Sequence, residues 1–141
     1  MLTAMILSVF LDVTQPKPAP VPVKEATMTG VYFVTSKDGT DVYTGTAIVR
    51  KLGESYIVVW TVQRVTEDGI ATSPYTGIGL RDGNKLSIGW AQTDTAGKST
   101  RGVTVMTLGA GGTLAGQWMM MPGAGRAHTE TWELLRPLKE E

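Results

Sequence analysis

From Thr29 onward, apolar and polar residues alternate with a period of two, in short runs that each end in turn-forming residues. Such runs put every second side chain on one face of a half-buried sheet. They predict eight strands, over about 29–36, 41–50, 54–64, 71–80, 84–92, 101–108, 113–121 and 126–135. Between the strands lie Lys37-Asp38-Gly39-Thr40, Leu52-Gly53, Glu67-Asp68-Gly69, Asp82-Gly83-Asn84, Thr95-Ala96-Gly97-Lys98, Gly109-Ala110-Gly111-Gly112 and Pro122-Gly123-Ala124-Gly125. Each supplies a residue that tolerates positive φ where a hairpin needs one. Connections this short make neighbouring strands antiparallel and exclude crossover helices. The expected fold is all-β: a single eight-stranded antiparallel up-and-down barrel, with a β-sandwich as the alternative. Closure removes the edges that an open sheet exposes. The strand glycines Gly45, Gly77, Gly79, Gly89 and Gly116 suit the bending and close approach that closure demands. An echo, Tyr43-Thr44-Gly45, Tyr75-Thr76-Gly77 and Leu114-Ala115-Gly116, is irregularly spaced and reads as repeated hairpin geometry, not as a solenoid.

Alternation also assigns faces. In the fifth strand Leu86, Ile88 and Trp90 oppose Lys85, Ser87 and Gly89. In the seventh, Leu114, Gly116, Trp118 and Met120 oppose Ala115, Gln117 and Met119; in the eighth, His128, Glu130, Trp132 and Leu134 oppose Thr129, Thr131, Glu133 and Leu135. The simplest registration turns Trp90, Trp118 and Trp132 inward and leaves polar or small residues outside. Trp60 ends the run Tyr56-Ile57-Val58-Val59-Trp60, which is apolar on both faces, so alternation does not place it. Indoles inside a small barrel either fill it as core, the commoner role of buried aromatics, or line a pocket open at one end. Glu130 departs from the character of its face, where an unpaired carboxylate is costly. It is either the polar anchor of a pocket or a structural acceptor for an indole N–H or for an arginine such as Arg101 or Arg126. Trp90, Trp118, Trp132, Glu130 and Tyr75 form the candidate ligand-binding set. His128, near a strand end, is expected to face solvent at the barrel rim.

The flanks differ in composition. Residues 1–14 form an apolar segment resembling part of an export signal, although no Lys or Arg precedes it and no small-x-small site follows. Residues 15–28 carry prolines at 16, 18, 20 and 22 and read as an extended linker. The barrel domain then spans 29–136, followed by a charged tail over 137–141. A secreted or periplasmic location is expected from the apolar segment, with the cytoplasm as the alternative.

Composition narrows the chemistry further. Thirteen basic residues balance thirteen acidic ones, so no electrostatic footprint for nucleic acid appears. With no cysteine and a single histidine, neither a thiolate nucleophile nor a histidine-rich metal site is available, and no cofactor is expected. Gly109-Ala110-Gly111-Gly112 lacks the Gly-Lys-Ser/Thr of a phosphate loop. Ser73 and Ser99 lack a nucleophile-elbow context, and the acidic residues Asp38, Asp41, Glu67, Asp68 and Asp82 sit at turns, where they satisfy local backbone donors. A transmembrane barrel needs an apolar exterior, which Lys85, Ser87, Thr129, Thr131 and Glu133 do not provide.

Gly30-Val31-Tyr32 resembles the Gly-x-aromatic opening of calycin-type barrels such as lipocalins and avidins, and Gly112-Thr113-Leu114-Ala115-Gly116-Gln117-Trp118 is similar to an avidin-like hairpin. Together with Thr129-Glu130-Thr131-Trp132, the pattern also resembles small secreted bacterial barrels of uncharacterised function. The calycin resemblance implies an up-and-down barrel with a ligand at its mouth. The biotin-binding polar set is not matched position by position, so biotin binding is not carried over.

Three functions follow as expectations. The first is a non-enzymatic barrel holding a small apolar or aromatic ligand in a tryptophan-lined lumen. The second is a protein-interaction or inhibitor module of the cell envelope with a filled core. The third is a cofactor-free isomerase or cyclase using Glu130, which requires a raised Glu130 pKa and an open pocket. A cavity of roughly 300 Å3 or more between the indoles, the lower range for ligand pockets, separates the first and third from the second.

Overall fold

Eight strands follow one another in the computed structural model of the protein, which describes residues 26–39, 41–121 and 125–139. They are β1 (Gly30–Asp38), β2 (Asp41–Leu52), β3 (Ser55–Thr66), β4 (Gly69–Asp82), β5 (Lys85–Thr93), β6 (Ser99–Leu108), β7 (Leu114–Met120) and β8 (His128–Pro137). A single 3-10 turn, Ala110–Gly112, joins β6 to β7. Each strand pairs antiparallel with the next, and β8 returns to β1, closing the barrel in chain order. The seam pairs Val34 with Trp132 and Tyr32 with Leu134, and its register shifts between Val31 and Tyr32. The expected up-and-down barrel is what forms, not the sandwich. The apolar segment, most of the proline-rich linker and the turn at 122–124 lie outside the described residues.

Turn chemistry explains the tightness of the meander. Leu52 pairs with Ser55 and Asp82 with Lys85, so these hairpins have two-residue loops. In each, the first loop residue is a glycine at positive φ, Gly53 at 61° and Gly83 at 59°, the conformation a tight hairpin asks of its first central position. Closure has its own glycines. A Cβ on Gly45 would sit 2.0 Å from the Thr61 carbonyl oxygen, and one on Gly116 would sit 1.8 Å from that of Val105. Gly89 differs from this expectation: it faces outward, and a Cβ there would meet nothing within 4 Å.

Side chains fill one half of the lumen. Tyr32, Val34, Val49, Val58, Leu86, Ile88, Met106, Leu114 and Trp132 are all buried to within 1% exposure, giving a packed end. Met28, at the end of the expected linker, is completely buried, and its carbonyl accepts the Tyr32 hydroxyl at 2.6 Å. Beside it, Thr29 Oγ1 donates to the Leu138 carbonyl at 2.9 Å. The residues just before β1 and just after β8 are thus tied together at the packed end of the barrel.

Lys85, Ser87, Thr129 and Glu133 face solvent, as alternation requires. The exterior is not uniformly polar, however. Ile57, Ile78, Gly89, Val103 and Met119 follow one another across β3 to β7 in a single register row, and Ile78 is 61% exposed. Among the described residues, no helix is long and apolar enough to cross a membrane.

Candidate functional site

The opposite end of the lumen is open. It is formed by the last residues of β1, β3, β5 and β7 and the first of β2, β4, β6 and β8, whose inward side chains are larger and more polar than those of the packed end. A cavity of about 270 Å3 opens there, its walls including Tyr43, Trp60, Tyr75, Trp90, Trp118 and Glu130. A second depression, of about 400 Å3, adjoins it and shares Thr100, Trp118 and Met120 with the first.

The aromatic walls form one connected cluster. Trp60 stacks on Tyr75 with centroids 5.3 Å apart and planes at 15°. Trp90 stands nearly perpendicular to both, at 88° to Tyr75 and 81° to Trp60, and at 72° to Trp118. Edge-to-face and offset-stacked pairs of this kind contribute about 0.5–1.5 kcal/mol each beyond the area they bury. Gly102 makes room for Trp90: a Cβ there would fall 2.3 Å from Cζ2 of that indole. The Trp90 N–H is buried with no acceptor among the described residues.

Glu130 lies at the base of the cavity, 5% exposed. Its Oε1 accepts the Trp132 indole N–H at 2.5 Å, and its Oε2 accepts the Tyr43 hydroxyl in a short hydrogen bond. The Tyr43 oxygen in turn accepts the Trp118 N–H at 2.9 Å. An indole only donates, so the direction of the chain is fixed: Trp118 to Tyr43 to Glu130. Burial pushes the Glu130 carboxyl above the ordinary glutamate value, while the hydrogen bonds from Tyr43 and Trp132 and the positive charge of Arg64 pull it back. Tyr43 is raised as well, first by burial and then by the charge of Glu130 and the hydrogen bond to it.

At the rim, Arg64 grips Asp41 through two bonds, Nε to Oδ1 at 2.8 Å and Nη2 to Oδ2 at 3.2 Å. Its guanidinium also lies over the Tyr43 ring, 4.4 Å from the centroid. The Asp41 hydrogen bond, the largest influence on Arg64, holds that guanidinium more firmly protonated than usual. The pair ties the start of β2 to the end of β3.

Of the expected set, Trp90, Trp118, Tyr75 and Glu130 meet around the cavity. Trp132 faces inward but belongs to the packed half: it is fully buried between Tyr32 and Trp60, outside the cavity lining, and its polar atom is spent on Glu130. The donors to Glu130 are Tyr43 and Trp132, and the arginine acting on it is Arg64; Arg101 and Arg126 are exposed. His128 differs from its expected place in solvent. It is half-buried and stacks on Trp118 at 4.3 Å and 17°, because the two residues are direct cross-strand partners. Tyr43, Trp60, Arg64 and Asp41 were not among the expected site residues. Alternation along β2 carries a signal for Tyr43, since Ala47 and Val49 lie on its face, whereas Asp41 is indistinguishable in sequence from a turn aspartate.

Among the described residues, no group of three or more His, Asp or Glu is placed to hold a metal ion. In comparisons with known proteins, no family model matches the chain and no curated protein matches it.

Proposed function

We propose that the protein is a non-enzymatic β-barrel that binds a small apolar or aromatic ligand at the open end of its lumen, with Glu130 as polar anchor. The observation that carries this reading is the cavity of about 270 Å3 walled by Tyr43, Trp60, Tyr75, Trp90 and Trp118, just below the roughly 300 Å3 at which small-molecule sites begin. Packing at the other end supplies the rigid support that such a site needs. The resemblance to calycin-type barrels points the same way, and we propose an export location from the apolar segment at 1–14, but the cavity does not depend on either.

The same cavity and the upward push of burial on the Glu130 carboxyl are also compatible with a barrel isomerase or cyclase. We favour binding because both Glu130 oxygens already accept hydrogen bonds, a structural use that competes with proton transfer to or from a substrate.

A titration of the protein with a panel of small hydrophobic and aromatic compounds, followed by tryptophan emission, tests the proposal. Saturable quenching or a blue shift is expected for part of the panel, weakened roughly three- to tenfold by Tyr75→Leu, the range one lost aromatic pairing predicts. No saturable response to any compound would overturn it.

A further inference from the structure

Charge at the cavity narrows the class of ligand. Three charged side chains line it, Asp41, Arg64 and Glu130. Arg64 is committed to Asp41 by its two hydrogen bonds, so that pair is neutral as a unit. Glu130 has no cation in direct hydrogen-bonded contact; both groups that touch it, the Tyr43 hydroxyl and the Trp132 indole, are neutral donors. Burial raises the Glu130 carboxyl, and the two donated hydrogen bonds favour its ionised form against that without neutralising its charge. When ionised, Glu130 places a negative charge at the cavity with no hydrogen-bonded cation among the described residues, Arg64 acting on it only through space while its fork is held by Asp41.

Those rings are suited to a cation. The faces of indole and phenol are electron-rich, and a desolvated cation over them is attracted by their quadrupoles. Trp90 stands edge-on to the stacked Trp60–Tyr75 pair and to Trp118, so the aromatic walls of the cavity present rings in more than one plane. One ring of the cavity already takes a cation in this way, since the Arg64 guanidinium lies over Tyr43. An anion finds the Trp90 N–H as a neutral donor but no uncommitted cation among the lining residues. The indole donors of Trp118 and Trp132 are used within the protein, and the Arg64 fork is turned to Asp41.

Building on the ligand-binding reading above, we infer that the ligand is a small organic cation: an ammonium group on an apolar or aromatic body, held among Trp60, Tyr75, Trp90 and Trp118 with Glu130 as counter-ion. The carboxylate then has a purpose beyond accepting two hydrogen bonds. It rewards the one class of ligand that brings the missing charge into a site of low dielectric.

Three probes of similar shape test this on the unmodified protein by calorimetric titration at neutral pH: benzyltrimethylammonium, its uncharged carbon isostere neopentylbenzene, and phenylacetate. The cation is expected to bind at least about tenfold more tightly than the isostere, and phenylacetate most weakly. In Glu130→Gln the ratio of cation to isostere affinity should fall towards one, a change that general damage to the fold would not produce, because it weakens both probes together. If the isostere binds as tightly as the cation, or phenylacetate binds best, the cation inference is overturned while the ligand site stands. If none of the three binds although other compounds in the emission panel do, the inference fails again. If the panel is silent too, the site reading falls with it.

Discussion

Glu130 shows how much a single residue's setting can be read, and where reading stops. Alternation along β8 put its carboxylate on the inner face, and the structure buries it there. Its partners were not legible: Tyr43 lies 87 positions away in the chain, and only the barrel's closure brings β2 across to β8. The raised carboxyl has a thermodynamic consequence. A carboxyl whose pKa is higher folded than unfolded binds its proton more tightly in the native state. It therefore contributes stability that is fully present below the ordinary value near 4.5 and is lost as pH rises through the raised value. The unfolding midpoint of the wild type should accordingly fall relative to that of Glu130→Gln as pH rises from about 4 across this window. Parallel pH profiles for the two proteins would contradict the shift. Two glycines offer a sharper contrast. Gly116→Ala drives a methyl into the Val105 carbonyl and should cost about 1–3 kcal/mol or more in denaturant unfolding. Gly89→Ala meets nothing and should be neutral or stabilising by up to about 1 kcal/mol.

At the scale of elements, the strands and their turns were the most legible part of the chain, because period-two alternation and a glycine at each hairpin are local signals. Ser55, Lys85 and Asp41 begin strands within a residue of where the pattern places them. Met28 escaped, since nothing in Ala26-Thr27-Met28 alternates; its burial follows from the Tyr32 hydroxyl reaching back four residues to its carbonyl. Trp60 escaped because a strand apolar on both faces has no readable phase, and the sheet pairing of Trp60 with Ala47 and Tyr75 settles its direction. The seam between β1 and β8 is the element contact that sequence order alone does not guarantee. Amides along its paired stretch, Tyr32 to Thr35 and Thr131 to Leu134, are expected to exchange with solvent as slowly as those of β5 and β6. Fast exchange confined to β1 and β8 would mean an open sheet. Tyr32→Phe should cost about 0.5–1.5 kcal/mol, the worth of the one hydrogen bond it loses, and should loosen the packed end without touching the cavity.

For the whole molecule, the two readings of the indoles turn out to describe two halves of one lumen. The packed half, with Trp132 in it, makes the barrel stable, and the open half, with Trp60, Trp90 and Trp118, leaves a walled space. Alternation could turn Trp90, Trp118 and Trp132 inward, but it carries no information about height along the barrel axis, which depends on strand register and tilt. That division is the central claim, and the four indole N–H signals in a nitrogen–proton correlation spectrum report on it one by one. When a ligand found in the emission panel is titrated in, the signals of Trp60, Trp90 and Trp118 are expected to shift with a common saturation curve, and that of Trp132 to move least. A spectrum in which Trp132 shifts most, or in which the ligand moves only residues on the outer face of the barrel, would contradict it.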